Sequence, residues 1–268
     1  LVASVDNFGA AGVKPTHPEL LDTLAIQFQA DGWSIKRLIR RLVTSRAYQM
    51  ASGGDAALVK QNQALDPDNN FLWRARGRRL DVEAMRDAIL SISGQLDRAR
   101  GGPTLTFTGR FEFADDTKLL EVPNPSLRRG VYLPIVRDHL DMIDSLDILE
   151  VFDFANPSFV TGRRNSTTVP SQALYLMNSP FVRSQAEQAA RRLADRQGSD
   201  ADRVQWFFLE ALGRQASDSE IRTAIAFLDG VDNRPKGNDS DGSDSTGLTA
   251  WTLFCQTIFA SNEFVFLN

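Results

Sequence analysis

The chain has 268 residues, of which 42% are hydrophobic and 24% charged, a globular composition with enough length to bury a core. A net charge of −4 gives no broad attraction for nucleic acid, and no apolar run approaches the length needed to cross a bilayer. The single cysteine, Cys255, excludes an internal disulfide, and with only two histidines it weighs against a zinc site.

The first residues, with Val5-Asp-Asn-Phe-Gly9 and Gly12, read as irregular loop. Lys14-Pro-Thr-His-Pro-Glu19 then opens a helix, with Pro18 at its first position and Glu19 where the macrodipole favours an acid. Leu20, Leu21, Leu24, Ile26 and Phe28 form its apolar face, and Gly32 ends it. His17, at the entry, is read either as a capping group or as an acid/base candidate. Ser34 caps a second helix with Ile35, Leu38, Ile39, Leu42 and Val43 at helical spacing and a basic opposite face. Asp66-Pro-Asp-Asn-Asn70 is a turn cluster. Asp81 is expected to cap a helix to about residue 93, with Val82, Met85, Ile89 and Ile92 inward and Glu83, Arg86 and Asp87 in surface pairs.

Past the Gly101-Gly-Pro103 break, residues 104–113 alternate as a strand or hairpin would. Val131-Tyr-Leu-Pro-Ile-Val136 is a second strand candidate, demoted to an edge or bulge by Pro134. Residues 140–154 have a helical pattern with a flanking row of acids and His139, which trace a solvated face more simply than a metal or acid/base site.

The stretch Thr161 to Val182 holds the richest set of candidate site residues. Gly162 permits a turn, and Arg163, Arg164 and Asn165 follow it. Pro170 and Pro180 each suit a helix start, giving helices over roughly 170–177 and 180–196. Ala173, Leu174 and Met177 are placed on the apolar side of the first, and Phe181, Ala186, Ala189, Ala190 and Leu193 on that of the second. An arginine, the Asn165 amide and the N–H groups at the start of the first helix would hold a carboxylate, sulfate or phosphate. In the plainer alternative an arginine pairs with a carboxylate such as Asp153 and pins the loop to the fold.

Three more helices follow, over about 200–212, 218–229 and 248–261; the second starts with capping-box spacing at Ser217-Asp-Ser-Glu220. Cys255 reads as a buried, inert thiol in the third. Between the last two, the Asp/Ser/Gly-rich 231–247 stretch reads as a surface loop whose acids fail EF-hand spacing. There is no Gly-x-Ser-x-Gly elbow, phosphate-binding loop, His-Glu-x-x-His or Cys-x-x-Cys-His haem attachment. The expectation is one mainly α domain over 1–268, of about seven to nine helices with one or two short β-strands or a hairpin.

One set of short motifs extends over nearly the whole chain. Asp6-Asn-Phe-Gly9, Pro15-Thr-His-Pro-Glu-Leu-Leu21 and Gly32-Trp-Ser-Ile-Lys36 begin it. Asp66-Pro-Asp-Asn69, Arg78-Arg-Leu80, Glu83-Ala-Met-Arg-Asp87, Arg129-Gly-Val-Tyr-Leu-Pro134 and Phe152-Asp-Phe154 continue it. Gly162-Arg-Arg-Asn165, Pro170-Ser-Gln-Ala-Leu174, Met177-Asn-Ser-Pro180, Ala211-Leu-Gly-Arg214 and Ser261-Asn-Glu-Phe264 close it. In this order the motifs resemble domain-of-unknown-function family 1553, the C-terminal module of planctomycete-type cytochrome c proteins. The resemblance implies an exported bacterial parent of several domains. It implies a neighbouring domain of family 1549 type and haem c in a separate cytochrome c domain, with no cofactor in this chain. It supplies no catalytic residues. The chain starts later than the family pattern, so an upstream helix with Arg and Trp is expected to precede it.

Three functions remain open at this point. The first is a structural or interaction module packed on its partner domain. The second is a binding module for anionic or sulfated polysaccharide through Arg163, Arg164 and Asn165. The third is a polysaccharide-active or redox-accessory enzyme with Asp153 or His17 as acid/base. Neither a nucleic-acid partner nor a membrane span is expected.

Overall fold

The computed structural model describes residues 1–7, 9–101, 127–133, 135, 147–232 and 246–267. The expected strand at 104–113, His139, and most of the Asp-rich loop lie outside them. The described residues are mainly helical and fall into two compact units. The first comprises Leu1–Arg78, Val160–Arg163 and Phe266–Asn268; the second comprises Arg79–Phe159 and Arg164–Val265.

The first unit holds three α-helices among its described residues: α1 (Pro18–Ala30), α2 (Ile35–Val43) and α3 (Ala56–Leu65). Pro18 and Glu19 start α1 as the sequence suggests. Ser34 Oγ caps α2 by accepting from the Arg37 N–H at 3.4 Å. A cap the sequence reading passed over starts α3, where Asp55 Oδ1 accepts from the Ala57 and Leu58 N–H groups, both at 3.0 Å. After α3, the Asp66 carboxylate gathers the Asn70 and Phe71 N–H groups at 2.9 and 2.8 Å, and Asn69 Nδ2 donates to the Arg74 carbonyl at 2.8 Å. Asp66 and Asn69 are the buried side chains of this unit among the described residues, and none of α1–α3 buries a residue. The expected apolar faces of α1 and α2 are present, yet Leu20, Leu21, Ile26, Ile35, Ile39, Leu42 and Val43 face solvent.

The second unit contains the apolar core. It holds α4 (Val82–Ile92), α5 (Asp147–Val151), α6 (Pro170–Asn178), α7 (Pro180–Ala194), α8 (Asp200–Leu212), α9 (Asp218–Asp232), α10 (Thr246–Phe259) and α11 (Asn262–Val265). Met85, Ile89 and Leu90 of α4, Leu193 of α7, Phe207 of α8 and Phe259 of α10 are buried together with Cys255. Ala186, Ala189 and Ala190 give α7 a face of small side chains, which lets the neighbouring α10 approach closely. Ser199 and Asp202 form a capping box at the start of α8. Gly213, at φ 70°, ends that helix in the left-handed conformation that favours glycine. Ser217 and Glu220 cap α9 reciprocally, at 2.8 and 3.3 Å, as their spacing suggests.

Three local readings are corrected. The segment from Val131 is not a strand where it is described: Gly130–Tyr132 is a 3-10 turn, closed by Leu133 N–H donating to the Gly130 carbonyl at 3.1 Å. Among the described residues the strands are the two-residue segments Arg78–Arg79 and Phe266–Leu267. In α6, Ala173, Leu174 and Met177 are exposed, while Gln172 and Leu176 are buried. Gln172 sets that rotation. Its amide donates to the Val151 carbonyl at 3.1 Å, turning the 172/176 edge inward and its neighbours out. Finally, Glu83, Arg86 and Asp87 of α4 are not surface pairs, because each bonds to a segment far along the chain.

Candidate functional site

The 152–172 loop is assembled around one carboxylate. After α5 the chain turns at Asp153, which sits at φ 57°, and the Phe154 N–H donates back to the Leu149 carbonyl at 2.9 Å. This is the helix-ending turn that glycine usually occupies. An L-residue there carries a backbone cost of about 1–2 kcal/mol, offset by what the Asp153 side chain reaches. Its Oδ2 accepts from Arg79 Nη2 at 2.8 Å and from the Thr167 N–H at 2.8 Å. The Thr167 hydroxyl lies 2.9 Å from both carboxylate oxygens.

Arg79 is 4% exposed at its side chain and has partners at both terminal nitrogens. Nη1 donates to the Thr167 carbonyl at 2.7 Å, and Nη2 also donates to the Phe152 carbonyl at 3.0 Å. The guanidinium lies 5.4 Å from the centre of the Phe152 ring. Partial burial alone would raise the Asp153 carboxyl, but the Thr167 N–H, Arg79 and the Thr167 hydroxyl together hold it below its ordinary value. These contacts favour its ionised form.

Arg164 makes a separate anchor. Its Nη1 and Nη2 donate to Glu83 Oε2 and Oε1 at 2.7 and 2.8 Å, a bidentate fork, and the guanidinium stacks 5.0 Å from the Phe154 ring centre. Burial works to raise the Glu83 carboxyl, and the hydrogen bond from Arg164 outweighs it together with Glu83's own backbone N–H, leaving the carboxyl lowered. Arg163 and Asn165 are exposed, and neither makes a hydrogen bond or ion pair among the described residues. His17 belongs to the first unit, where Nδ1 lies 2.9 Å from the Thr16 hydroxyl and the ring meets Phe71 edge-on at 6.1 Å.

Of the expected site residues, the structure thus places Asp153 in one network and Arg164 in another. The arginine that pairs with Asp153 is Arg79, not a member of the 163–164 pair. The Thr167 N–H is spent on Asp153, and the Val169 N–H points to Gln172 Oε1 at 3.4 Å. The residues missed in the sequence are Arg79, Glu83, Thr167 and Gln172, and also Arg86, which is buried and donates to the Arg128 carbonyl at 2.8 Å. In the sequence Arg79, just before α4, and Arg86, within it, carry no mark that distinguishes them from solvated arginines.

No group of three or more His, Cys, Asp or Glu side chains able to hold a metal occurs among the described residues, and no described helix is long and apolar enough to cross a membrane. The family model PSD1, a protein of unknown function (DUF1553), matches residues 1–228. No curated protein and no solved structure matches the chain.

Proposed function

The chain belongs to the PSD1 family of proteins of unknown function (DUF1553), and within it we propose that it is a structural and interaction module packed on a neighbouring domain of its parent protein. In this reading the neighbour is of family 1549 type, the parent is exported, and haem is carried by a separate cytochrome c domain.

The observation that supports it is the exposed apolar edge of α2. Ile35, Ile39 and Leu42 recur at helical spacing and are 66%, 52% and 43% exposed, so they form a stripe along one side of the helix. Ile26 and Trp33 are exposed as well. The basic side of α2 is engaged separately, with Arg37 and Arg41 reaching Asp31 at 3.7 and 3.1 Å. An amphipathic helix with its apolar stripe in water is the form that docks into a partner's groove.

The 152–172 loop fits the same reading, since its Asp153 and Arg164 are each paired with a charged side chain earlier in the chain, Arg79 and Glu83. Binding of anionic or sulfated polysaccharide is the second reading, supported by the exposed Arg163 and Asn165.

The test is calorimetric titration of the chain with the separately produced neighbouring domain. Binding by the wild type and its loss in Ile35→Glu/Ile39→Glu, with helicity unchanged, is the expected result. Equal affinity of the two forms, or no binding by the wild type, would remove the proposal.

A further inference from the structure

Beside α4, the second unit contains a polar cavity of about 560 Å³ lined by Asp87, Leu96, Arg98, Arg100, Arg129 and Tyr132. Its volume falls within the range of small-molecule sites, roughly 300–1,000 Å³. We propose that it binds a small ester oxyanion, a phosphate or sulfate monoester, through Arg98, Arg100 and Arg129. The proposal is independent of the α2 stripe.

The walls are tied in place by backbone. Asp97 N–H donates to the Leu127 carbonyl at 2.9 Å. Arg128 Nη2 donates to the Ala99 carbonyl at 3.2 Å and also to the Gly101 carbonyl. Tyr132 stacks under the same Arg128 guanidinium at 4.7 Å. The segment bearing Arg98 and Arg100 is thereby held against the segment bearing Arg129. Gly130 allows the latter to lie close to α4: a Cβ there would stand 2.9 Å from Glu83 Cβ.

Charge decides what such a cavity takes. Three arginines and one aspartate are among the described residues that line it, and the aspartate's carboxylate is already engaged. Asp87 Oδ1 accepts from the Gly130 N–H at 2.6 Å and Oδ2 from Arg129 Nε at 3.3 Å. Arg98 and Arg100 make no hydrogen bond or ion pair among the described residues, and Asp97 Oδ1 turns back to the Ala99 N–H at 2.8 Å. Among the described lining residues this leaves an excess of two positive charges. Guanidinium forks match the paired oxygens of a phosphate or sulfate group, and the remaining volume admits the organic part of an ester.

The experiment is titration of the chain, at constant ionic strength, with glucose 6-phosphate and with glucose 6-sulfate. At least one should bind with a Kd below about 1 mM, and the better of the two identifies the ester. In Arg98→Ala/Arg100→Ala, both exposed positions, the Kd should rise at least about tenfold while near-ultraviolet dichroism and unfolding midpoint stay unchanged. Arg191→Ala removes an exposed arginine outside the cavity and should leave the Kd as it was. No binding of either ester by the wild type, or the same Kd in the double variant, would overturn the proposal.

Discussion

The guanidinium of Arg79 and the carboxylate of Asp153, 74 positions apart in the sequence, meet at 2.8 Å, and their contacts tie the start of α4 to the end of α5. Because Arg79 is almost wholly buried, its charge depends on that carboxylate and on the two carbonyls it reaches. Removing one partner of a buried pair leaves the other uncompensated, at about 3–5 kcal/mol.

Asp153→Ala should therefore lower unfolding free energy by about 3–5 kcal/mol, measured by urea denaturation. Asp153→Gly loses the same ion pair but relieves the left-handed backbone, so it should be milder than the alanine variant by about 1–2 kcal/mol. A double-mutant cycle with Arg79→Met should return a coupling of about 0.5–3 kcal/mol. Independent effects of the two substitutions would contradict the network.

The Arg164–Glu83 fork is more open to water, with side chains 37% and 26% exposed, and solvent screening reduces its contribution. Arg164→Ala should cost about 1 kcal/mol at low salt and less as salt is added. Arg163→Ala, at an exposed position without a partner among the described residues, should stay within about 0.5 kcal/mol. Equal losses at the two positions would show that the fork does not anchor the loop.

Gly130 is buried, and the backbone of the 127–133 segment approaches α4 through it. Gly130→Ala should destabilise by about 1–3 kcal/mol, the usual cost of overpacking, read as a lower midpoint in thermal unfolding. A neutral outcome would mean that the Glu83 side chain gives way freely.

Around Arg214 the effect depends on pH. The Arg214 side chain, followed by the N–H and hydroxyl of Ser217, holds the Glu220 carboxyl down at about 2, against an ordinary value of 4.5; Glu263 is lowered by the same arginine. A carboxyl lowered on folding contributes stability that is complete above its unfolded value and disappears as pH falls through its folded value. For Glu220 the loss should fall between about pH 4.5 and about pH 2. Glu220→Gln should make the urea midpoint flatter over that window than the wild type, and an unchanged slope would contradict the assignment.

What the sequence conveyed was mostly local. Pro18, Pro170 and Pro180 start helices, Ser34 and Ser217 cap them, and Ala186, Ala189, Ala190 and Leu193 face the core. Each of these signals acts within one or two turns of chain. The candidate site was less legible because its partners are remote. Glu83 and Arg164 are 81 positions apart, whereas helix spacing suggested pairing Glu83 within α4. On α6, Gln172 displaced the more apolar Leu174 and Met177 from the buried side because its amide has two acceptors waiting there. For α1 and α2, spacing revealed an apolar face but not what would cover it.

That exposed face makes hydrogen exchange the most direct test of the central claim. Amide exchange across α2 would be compared between this chain alone and the whole parent protein. The account predicts that Ile39 and Leu42 amides slow markedly in the parent, as a docked helix must open before it exchanges. Identical rates in the two would mean that nothing covers the stripe, and the interaction-module assignment would fall.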